Sequence, residues 1–490
     1  MDIHMGLIFF ALVGFCFLLS NSAPQLLARL RGRKTEPRTS QTLQRSFLPS
    51  FSAENKPTTI TTQSTDPATI LPPQCRHVLS TLSLPGDNGY KYREITETEV
   101  LRRPLPMTQD YRTCKEERYT PTGFSVAEVK ALGDFPDYSA LSGVPLPRAY
   151  GEKFDVDKAL ARPYRPFRWA YHQTMSLTKM ETDWWLELEN TYKERIAQRK
   201  ALFAKHGRGV LDALPGSELA CKELMEMALQ FYCARYPQYF SLIDKRIFRN
   251  KILGTEQDVK SKPPLEILMD NLPEDFGIMM RDNKTGNYFL RAAVICSSMG
   301  WNVATKIGLR LDHIHTTIPD YKEKMEFSMN RFFTKMPADK PIQRGSWGLE
   351  VGQPLHMPPG DPHGKLREFQ DTNSRLEDCH LRTDWQTLRR LPLSAAIVFN
   401  FKALFTPVSE FRDEPCVPAL VAKILREGKK NIMEHKGTWH VEHVVLPSLD
   451  KWAREQEENG LAPEKWEVTT LDESPWFKGW EEKWHRQQGF

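Results

Sequence analysis

Apolar residues recur at helical spacing through the middle of the chain. In the first such segment they share one helical face, and Thr182–Asp183 supplies a start signal in front of them. A second helix is predicted to begin at Ser217 and to end before Pro237, because proline cannot continue a helix. A later helix would carry Pro319 in its first turn, where proline is tolerated. Helices are therefore predicted at 180–205, 217–236, 301–308 and 319–335.

Strand-like runs of apolar residues lie between and after these helices. The first two runs are separated by "NKTG" (283–286), in which Asn and Gly are typical turn residues, so the pair is predicted to form a hairpin. Strands are predicted at 276–282, 287–298, 345–351, 379–390 and 394–405. The order of two strands, helices and three strands predicts an α+β domain with an antiparallel sheet and helices packed on one side.

The run 379–390 has an unusual number of polar residues for a strand. Alternation places Leu381, Thr383, Trp385 and Thr387 on one face and Arg382, Asp384 and Gln386 on the other. The polar face is either solvated or directed into a pocket in which Arg382 or Arg389 holds Asp384. Such a carboxylate would bind a substrate ammonium, and Trp385 or Trp347 could add a cation–π contact.

The N-terminus carries an uncharged apolar run, "MGLIFFALVGFCFLL" (5–19), which is followed by basic residues. Basic residues flank the cytoplasmic side of membrane helices. We therefore expect residues 1–24 to form a single-pass anchor, crossing the membrane through residues 5–20, with the body in the cytosol. A cleaved signal peptide that directs the body into the secretory pathway is the alternative, although no Lys or Arg precedes the run.

Composition divides the rest of the chain. Residues 25–72 are poor in large apolar residues and are predicted to be a disordered linker, and 73–165 are rich in proline and are predicted to be an irregular N-terminal extension. Residues 166–430 form the predicted main domain, and 431–490 a helical, Trp-rich C-terminal extension. The net charge of +5 arises mostly near the N-terminus, so the body shows no nucleic-acid footprint. The eight cysteines include no CxxC pair and are expected to be reduced thiols.

Sequence motifs exclude several classes of enzyme, because no nucleophile elbow, P-loop, HExxH or dinucleotide-binding motif occurs. "LRLDHIHTTIPDYKEKM" (309–325) places His313 and His315 two residues apart. Such a pair points the same way only on a strand. The following "TTIPDY" breaks a strand, and no third ligand follows at a suitable spacing. A two-histidine metal centre is disfavoured, and structural histidines are the main alternative from local sequence alone.

Four blocks together resemble the haem-dependent oxidative N-demethylase family, whose best-known type is the catalytic subunit of a dimethylamine monooxygenase. They lie at 175–202, 288–321, 329–350 and 381–411. The resemblance is to the fungal branch of the family. It implies a PAS-like fold and a b-type haem that activates O2. The expected reaction removes a methyl group from a secondary or related amine and releases formaldehyde.

The resemblance also implies roles for individual residues. His315 matches the histidine expected to ligate the haem iron, while His313 falls on a variable position. Asp384, with Arg382 and Gln386, would orient the small amine substrate or bound oxygen. Trp347 and Trp385 would shape the substrate pocket, and Arg344 and Arg389 would bind the haem propionates.

Two blocks depart from the family pattern. "RTDWQTLRRLP" (382–392) has Asp384 and Trp385 where the family commonly has Glu and Arg, and "RGSW" (344–347) has Ser346 where Asn is usual. No flavin or iron–sulfur motif is visible, so electrons would come from a separate NAD(P)H-dependent reductase. The alternative function is a non-catalytic, PAS-like haem sensor or carrier at a membrane. A structural membrane protein that has lost haem is a third possibility.

Overall fold

The computed structural model describes residues 97–151 and 153–490. The predicted anchor (1–24) and linker (25–72), with the first part of the extension, lie outside the described residues. The described strands are β1 (Thr178–Lys179), β2 (Leu211–Ala213), β3 (Phe240–Ile243), β4 (Ile247–Asn250), β5 (Thr255–Asp258), β6 (Asp275–Arg281), β7 (Tyr288–Val294), β8 (Ile342–Val351), β9 (Cys379–Arg390) and β10 (Ile397–Pro407). The described helices are α1 (Glu97–Arg102), α2 (Val126–Leu132), α3 (Tyr138–Ser142), α4 (Tyr192–His206), α5 (Glu218–Arg235), α6 (Pro264–Asn271), α7 (Val303–Lys306), α8 (Leu311–Ile314), α9 (Tyr321–Lys324), α10 (Glu326–Lys335), α11 (Val417–Glu427), α12 (Lys430–Lys436), α13 (Trp439–Glu458) and α14 (Trp480–Gln488).

A large antiparallel sheet forms the centre of the molecule, as predicted. Its strand order is β1-β8-β9-β10-β6-β7-β2, and each neighbouring pair is antiparallel. The predicted hairpin is confirmed, because β6 pairs with β7 across the Asn–Gly turn. The predicted strands of the second half are confirmed as β8, β9 and β10. A smaller antiparallel sheet, β3-β4-β5, stands apart from it.

Helices cover both faces of the large sheet, so the prediction of helices on one side is wrong. Ile278 belongs to a core cluster with Leu224 of α5, whereas its neighbour Met279 belongs to another cluster with Met329 and Phe333 of α10. Adjacent residues of a strand point to opposite faces. The central strands are therefore buried on both sides. The alternation of apolar and polar residues along the outer strands does not indicate this second layer of helices.

The first predicted helix begins later than its sequence pattern indicates. Helix α4 starts at Tyr192, and Thr182–Trp184 forms only a short 3-10 turn. The Asp183 carboxylate is engaged elsewhere, since it accepts hydrogen bonds from the backbone N–H and the Nε of Arg148, each at 2.9 Å. A tertiary contact thus uses the side chain that was expected to cap the helix. The second predicted helix is confirmed as α5, with Ser217 at its N-cap.

The predicted helix at 319–335 is divided into α9 and α10. Asp320 adopts a left-handed backbone conformation (φ 56°), and Met325, between the two helices, has a φ of −124°. The Asp320 carboxylate accepts hydrogen bonds from Lys429 at 2.5 Å and Asn431 at 3.2 Å. These contacts hold the chain in a turn directly before α9, so the helix begins at Tyr321, and the division itself lies at Met325. The helix predicted at 301–308 shortens to the single turn α7.

Buried polar contacts hold the segments that flank the sheet in the chain. Thr122 donates a hydrogen bond of 2.6 Å to the Leu393 carbonyl, and Arg165 forms a buried ion pair of 2.6 Å with Glu414. The six cysteines of the described residues are free. Within residues 97–490, no helix combines the length and the apolar character that a membrane span requires.

Candidate functional site

A patch of polar side chains interrupts the apolar face of the sheet that α8–α10 cover. Arg344 pairs in register with Gln386, and Ser346 pairs with Asp384 on the adjacent strand. Since these positions alternate in step with Leu388, which packs in the same core cluster as α10, all four side chains share that face. We call Arg344, Ser346, Asp384 and Gln386 the polar patch.

Aromatic residues of β10 border the polar patch. Phe401 pairs with Gln386 and Phe399 pairs with Leu388, so both rings lie on the same face of the sheet. The ring centroids are 5.9 Å apart and nearly parallel. Neither residue was predicted from the sequence, although their alternation is visible in "FNFKALF" (399–405). They give the polar patch an apolar wall.

Arg382 holds Asp384 in place from the side. It is 1% exposed, and all five of its N–H groups are used. Its Nε and Nη2 donate to Oδ1 of Asp384 at 3.1 and 3.0 Å, and its other bonds go to the carbonyls of Pro354, Leu355 and Ser297. Arg382 therefore has no donor left for a ligand. Asp384, with a side chain 29% exposed, keeps its second carboxylate oxygen free of any partner among the described residues.

Arg344 is a cation with unused hydrogen-bonding capacity. Its Nη1 donates to Oε1 of Gln386 at 3.1 Å, while its buried Nε has no acceptor among the residues that the structure describes. Burial lowers the pKa of Arg344, and no carboxylate of the described chain pairs with it. A half-buried guanidinium without a counter-charge is costly, so this position favours an anionic ligand.

Tyr171 was missed by sequence reasoning, because no periodicity marks the segment before β1. Burial alone would raise its pKa, but Lys436, Arg168 and Arg344 bring it below the usual range of a tyrosine. The Lys436 Nζ lies 4.7 Å from the ring centroid of Tyr171. Tyr171 and Lys436 both pack against Trp347, so this cluster lies on the face of β8 opposite the polar patch.

The histidine pair is divided between the interior and the surface. His315 follows α8, and its Nδ1 lies 2.7 Å from the carbonyl oxygen of Leu311. A carbonyl can only accept, so Nδ1 carries the proton and the Nε2 lone pair is free. The imidazole stacks on Tyr321 with ring centroids 4.9 Å apart. His313, by contrast, has a side chain 58% exposed.

Electrostatics keep the His315 ring neutral. Burial lowers its pKa to about 4, and the nearby cations Arg344 and Lys306 act in the same direction. His315 lies on the same side of the sheet as the polar patch, because Tyr321, on which it stacks, belongs to the core cluster of Leu388, Phe399 and Phe401. A neutral imidazole with its Nε2 free is the form that binds a metal ion.

The structure does not bring Trp347, Trp385 and Arg389 to this face. Trp385 alternates with Asp384 and Gln386, is 2% exposed, and donates from its indole N–H to Gln343 at 3.1 Å. Trp347 packs against Lys436, whose Nζ lies 4.2 Å from its ring centroid. The Arg389 guanidinium is stacked on Trp185, on the side of the sheet opposite the polar patch. Their proposed contacts with substrate or cofactor are therefore not supported by this geometry.

The polar patch and His315 lie in the part of the chain that matches a known family. The model of the haem-dependent oxidative N-demethylase, alpha subunit-like family matches residues 176–446, which is more than half of the chain. The chain belongs to this family. The match contains all four residues of the polar patch together with His315. It leaves α1–α3 and α14 outside.

Haem, the cofactor in the family name, suits the residues that this oxidative N-demethylase-like chain offers. Among the described residues, no group of three or more His, Cys, Asp or Glu is placed to hold a metal ion. A haem iron needs only one axial side chain from the protein, and His315 offers a free Nε2. The unsatisfied Nε of Arg344 suits a propionate, and Phe399 and Phe401 offer an apolar surface. The donor set therefore fits haem better than a metal bound by protein ligands alone.

Proposed function

We propose that the protein oxidatively removes a methyl group from a small secondary or related amine, using haem b bound at His315, and releases formaldehyde. The observation that carries this proposal is that the neutral His315 imidazole lies on the side of the sheet that carries the polar patch. One side of the sheet then combines a metal ligand, an anion-binding cation and a free carboxylate oxygen. The family match supports the same reaction class.

His315 and Arg344 would hold the cofactor. His315 would give its Nε2 to the iron, while the Leu311 carbonyl fixes the ring through Nδ1. Arg344 would bind a propionate with the N–H groups that Gln386 does not occupy. Bound haem would supply the activation of O2 and the oxidation of the methyl carbon.

Asp384 would bind the amine. Its free carboxylate oxygen can accept a hydrogen bond from the substrate ammonium and take its proton, while Arg382 keeps the other oxygen in place. Arg382 is thus a positioning residue. The Phe399 and Phe401 rings would contact the methyl groups and exclude water from them. Gln386 would position Arg344 by accepting its hydrogen bond.

The proposal extends to the fold, the electron donor and the location of the protein. The order β6-β7, helices, β8-β9-β10 supports a PAS-like fold for the predicted domain 166–430. The family name describes an alpha subunit, which supports a separate protein that delivers electrons, and we expect an NAD(P)H-dependent reductase. We further propose that the N-terminal run anchors a cytosolic body to a membrane, and that the chain is of the fungal type.

Haem titration followed by absorption spectroscopy tests the cofactor site. The wild type and His313→Ala are expected to develop a Soret band, because the His313 side chain points to solvent, whereas His315→Ala is expected to lose it. Loss of the band in His313→Ala alone would refute the assignment of His315.

Formaldehyde release then tests the reaction. Secondary methylamines are supplied with O2 and a reductant, and Asp384→Asn is expected to lower kcat/KM at least about tenfold while leaving the Soret band unchanged. A protein that binds haem but releases no formaldehyde from any methylamine would instead be a sensor or carrier.

A further inference from the structure

Arg389 is a buried cation without a counter-charge. Its residue is 6% exposed, and its guanidinium carbon lies 4.1 Å from the ring centroid of Trp185. Among the residues that the structure describes, it makes no ion pair and donates no hydrogen bond, and its Nε is buried without an acceptor. The neighbouring Arg390 is equally inaccessible but donates to the carbonyls of Met336 and Ala395 at 2.6 and 2.8 Å. Arg389 is therefore the member of this pair that lacks a partner.

The missing partner must be an acceptor, because arginine does not release its proton at neutral pH. Burial lowers the pKa of Arg389 to about 9, which still leaves the guanidinium charged at pH 7. Removing a charge from water without pairing it costs several kcal/mol. Stacking on Trp185 offsets part of this cost but provides no hydrogen-bond acceptor.

A small cavity lies beside this guanidinium. Its volume is about 20 Å³, and its lining includes Arg389, Trp185, Thr182, Gln230 and Phe231. This volume suits one small ligand, since a single water needs about 10–15 Å³ by the same measure. The Trp185 indole N–H is buried without an acceptor, like the Arg389 Nε. Both buried polar groups without a partner at this cavity are therefore donors.

We propose that this cavity binds one monovalent anion of the size of chloride, held by Arg389 with the help of Trp185. An anion can accept from both groups and neutralises the guanidinium, whereas a water molecule leaves the charge uncompensated. The cavity is too small for a large organic anion. The site lies on the face of the sheet opposite His315, so it is separate from the proposed haem site and does not depend on the proposed reaction.

Thermal unfolding of the full-length protein, without haem and after haem loading, tests the proposal. The melting temperature is measured in sodium chloride and in sodium gluconate at equal ionic strength. We expect a rise of a few degrees over a hundredfold increase in chloride above its dissociation constant, and no such rise in gluconate. Equal responses to the two salts would overturn the proposal. A chloride response that disappears on haem loading would assign the cavity to the cofactor and would also overturn it.

Two variants locate the effect. Arg389→Met is expected to lose the chloride-specific rise. Arg246→Met, which removes an exposed arginine paired with Asp258, is expected to retain it. A rise that survives in Arg389→Met would mean that chloride binds elsewhere and would refute the site. Because Arg389→Met could fail to fold, crystals of the wild type soaked in sodium bromide provide a second test. An anomalous peak within hydrogen-bond distance of the Arg389 guanidinium supports the site, and its absence refutes it.

Discussion

Acidification of the haem-free protein is expected to destabilise it through His315. The imidazole has a pKa of about 4 in the folded protein, against an ordinary value of 6.5, because burial disfavours its charged form. The unfolded chain therefore binds a proton at a higher pH than the folded chain does. The contribution of neutral His315 to stability is complete above pH 6.5 and is lost progressively as the pH falls towards 4. The difference between the two pKa values corresponds to about 3 kcal/mol.

Urea unfolding between pH 7.5 and pH 4 measures this linkage. In His315→Gln the free energy of unfolding is expected to fall less steeply below pH 6.5 than in the wild type. Between pH 7.5 and pH 4 the wild type should lose up to about 3 kcal/mol more than the variant. His313→Gln is the matched control, because that side chain is exposed and should leave the wild-type slope unchanged. Parallel curves for the wild type and His315→Gln would refute the burial of a neutral imidazole at this position.

Three further predictions concern other parts of the chain. Arg382→Met should lower the free energy of unfolding by about 3–5 kcal/mol in urea titrations, because it leaves three carbonyls and a carboxylate without a donor. Arg375→Met removes the exposed ion pair with Asp378 and should lower it by less than about 1 kcal/mol. Gly348→Ala should lower the free energy of unfolding by about 1–3 kcal/mol, because the added Cβ would lie 2.7 Å from the carbonyl oxygen at the end of α12. Gly364→Ala, where no atom lies within 4 Å of the added Cβ, is the control. Equal stabilities of the two variants would contradict the clash. If the body is cytosolic, no glycan will be found at Asn283 by mass spectrometry of the protein from its own cells, and a glycan there would overturn that orientation.

Local sequence patterns predicted those elements whose apolar spacing and turn residues lie within the element itself. The β6–β7 hairpin follows from two apolar runs around an Asn–Gly turn, and α5 follows from its apolar spacing and from Pro237. The start of α4 could not be predicted in this way, because Asp183 is bound by Arg148, which is distant in sequence. Nor could the left-handed turn at Asp320 before α9, where the carboxylate is bound by residues after α11.

The candidate site was predictable in the same measure. Alternation along β9 already places Arg382, Asp384 and Gln386 together and separates them from Trp385 and Arg389. It does not show that every N–H group of Arg382 donates to the protein, since three of its acceptors are backbone carbonyls from other segments. Every residue type has a backbone carbonyl, so the sequence cannot show which carbonyls accept the hydrogen bonds of Arg382.

The sequence by itself determined the order of the strands β6 to β10 and which residues share a face within each of them, because these depend on the local repeat of the backbone. Only the tertiary structure decided which face is lined by α8–α10, and that His315 turns inward while His313 turns to solvent. The reason is that the groups that cover the imidazole come together only when the chain has folded. The Leu311 carbonyl binds Nδ1, and the Tyr321 ring, on which the imidazole stacks, is itself held in the core cluster that packs on the sheet.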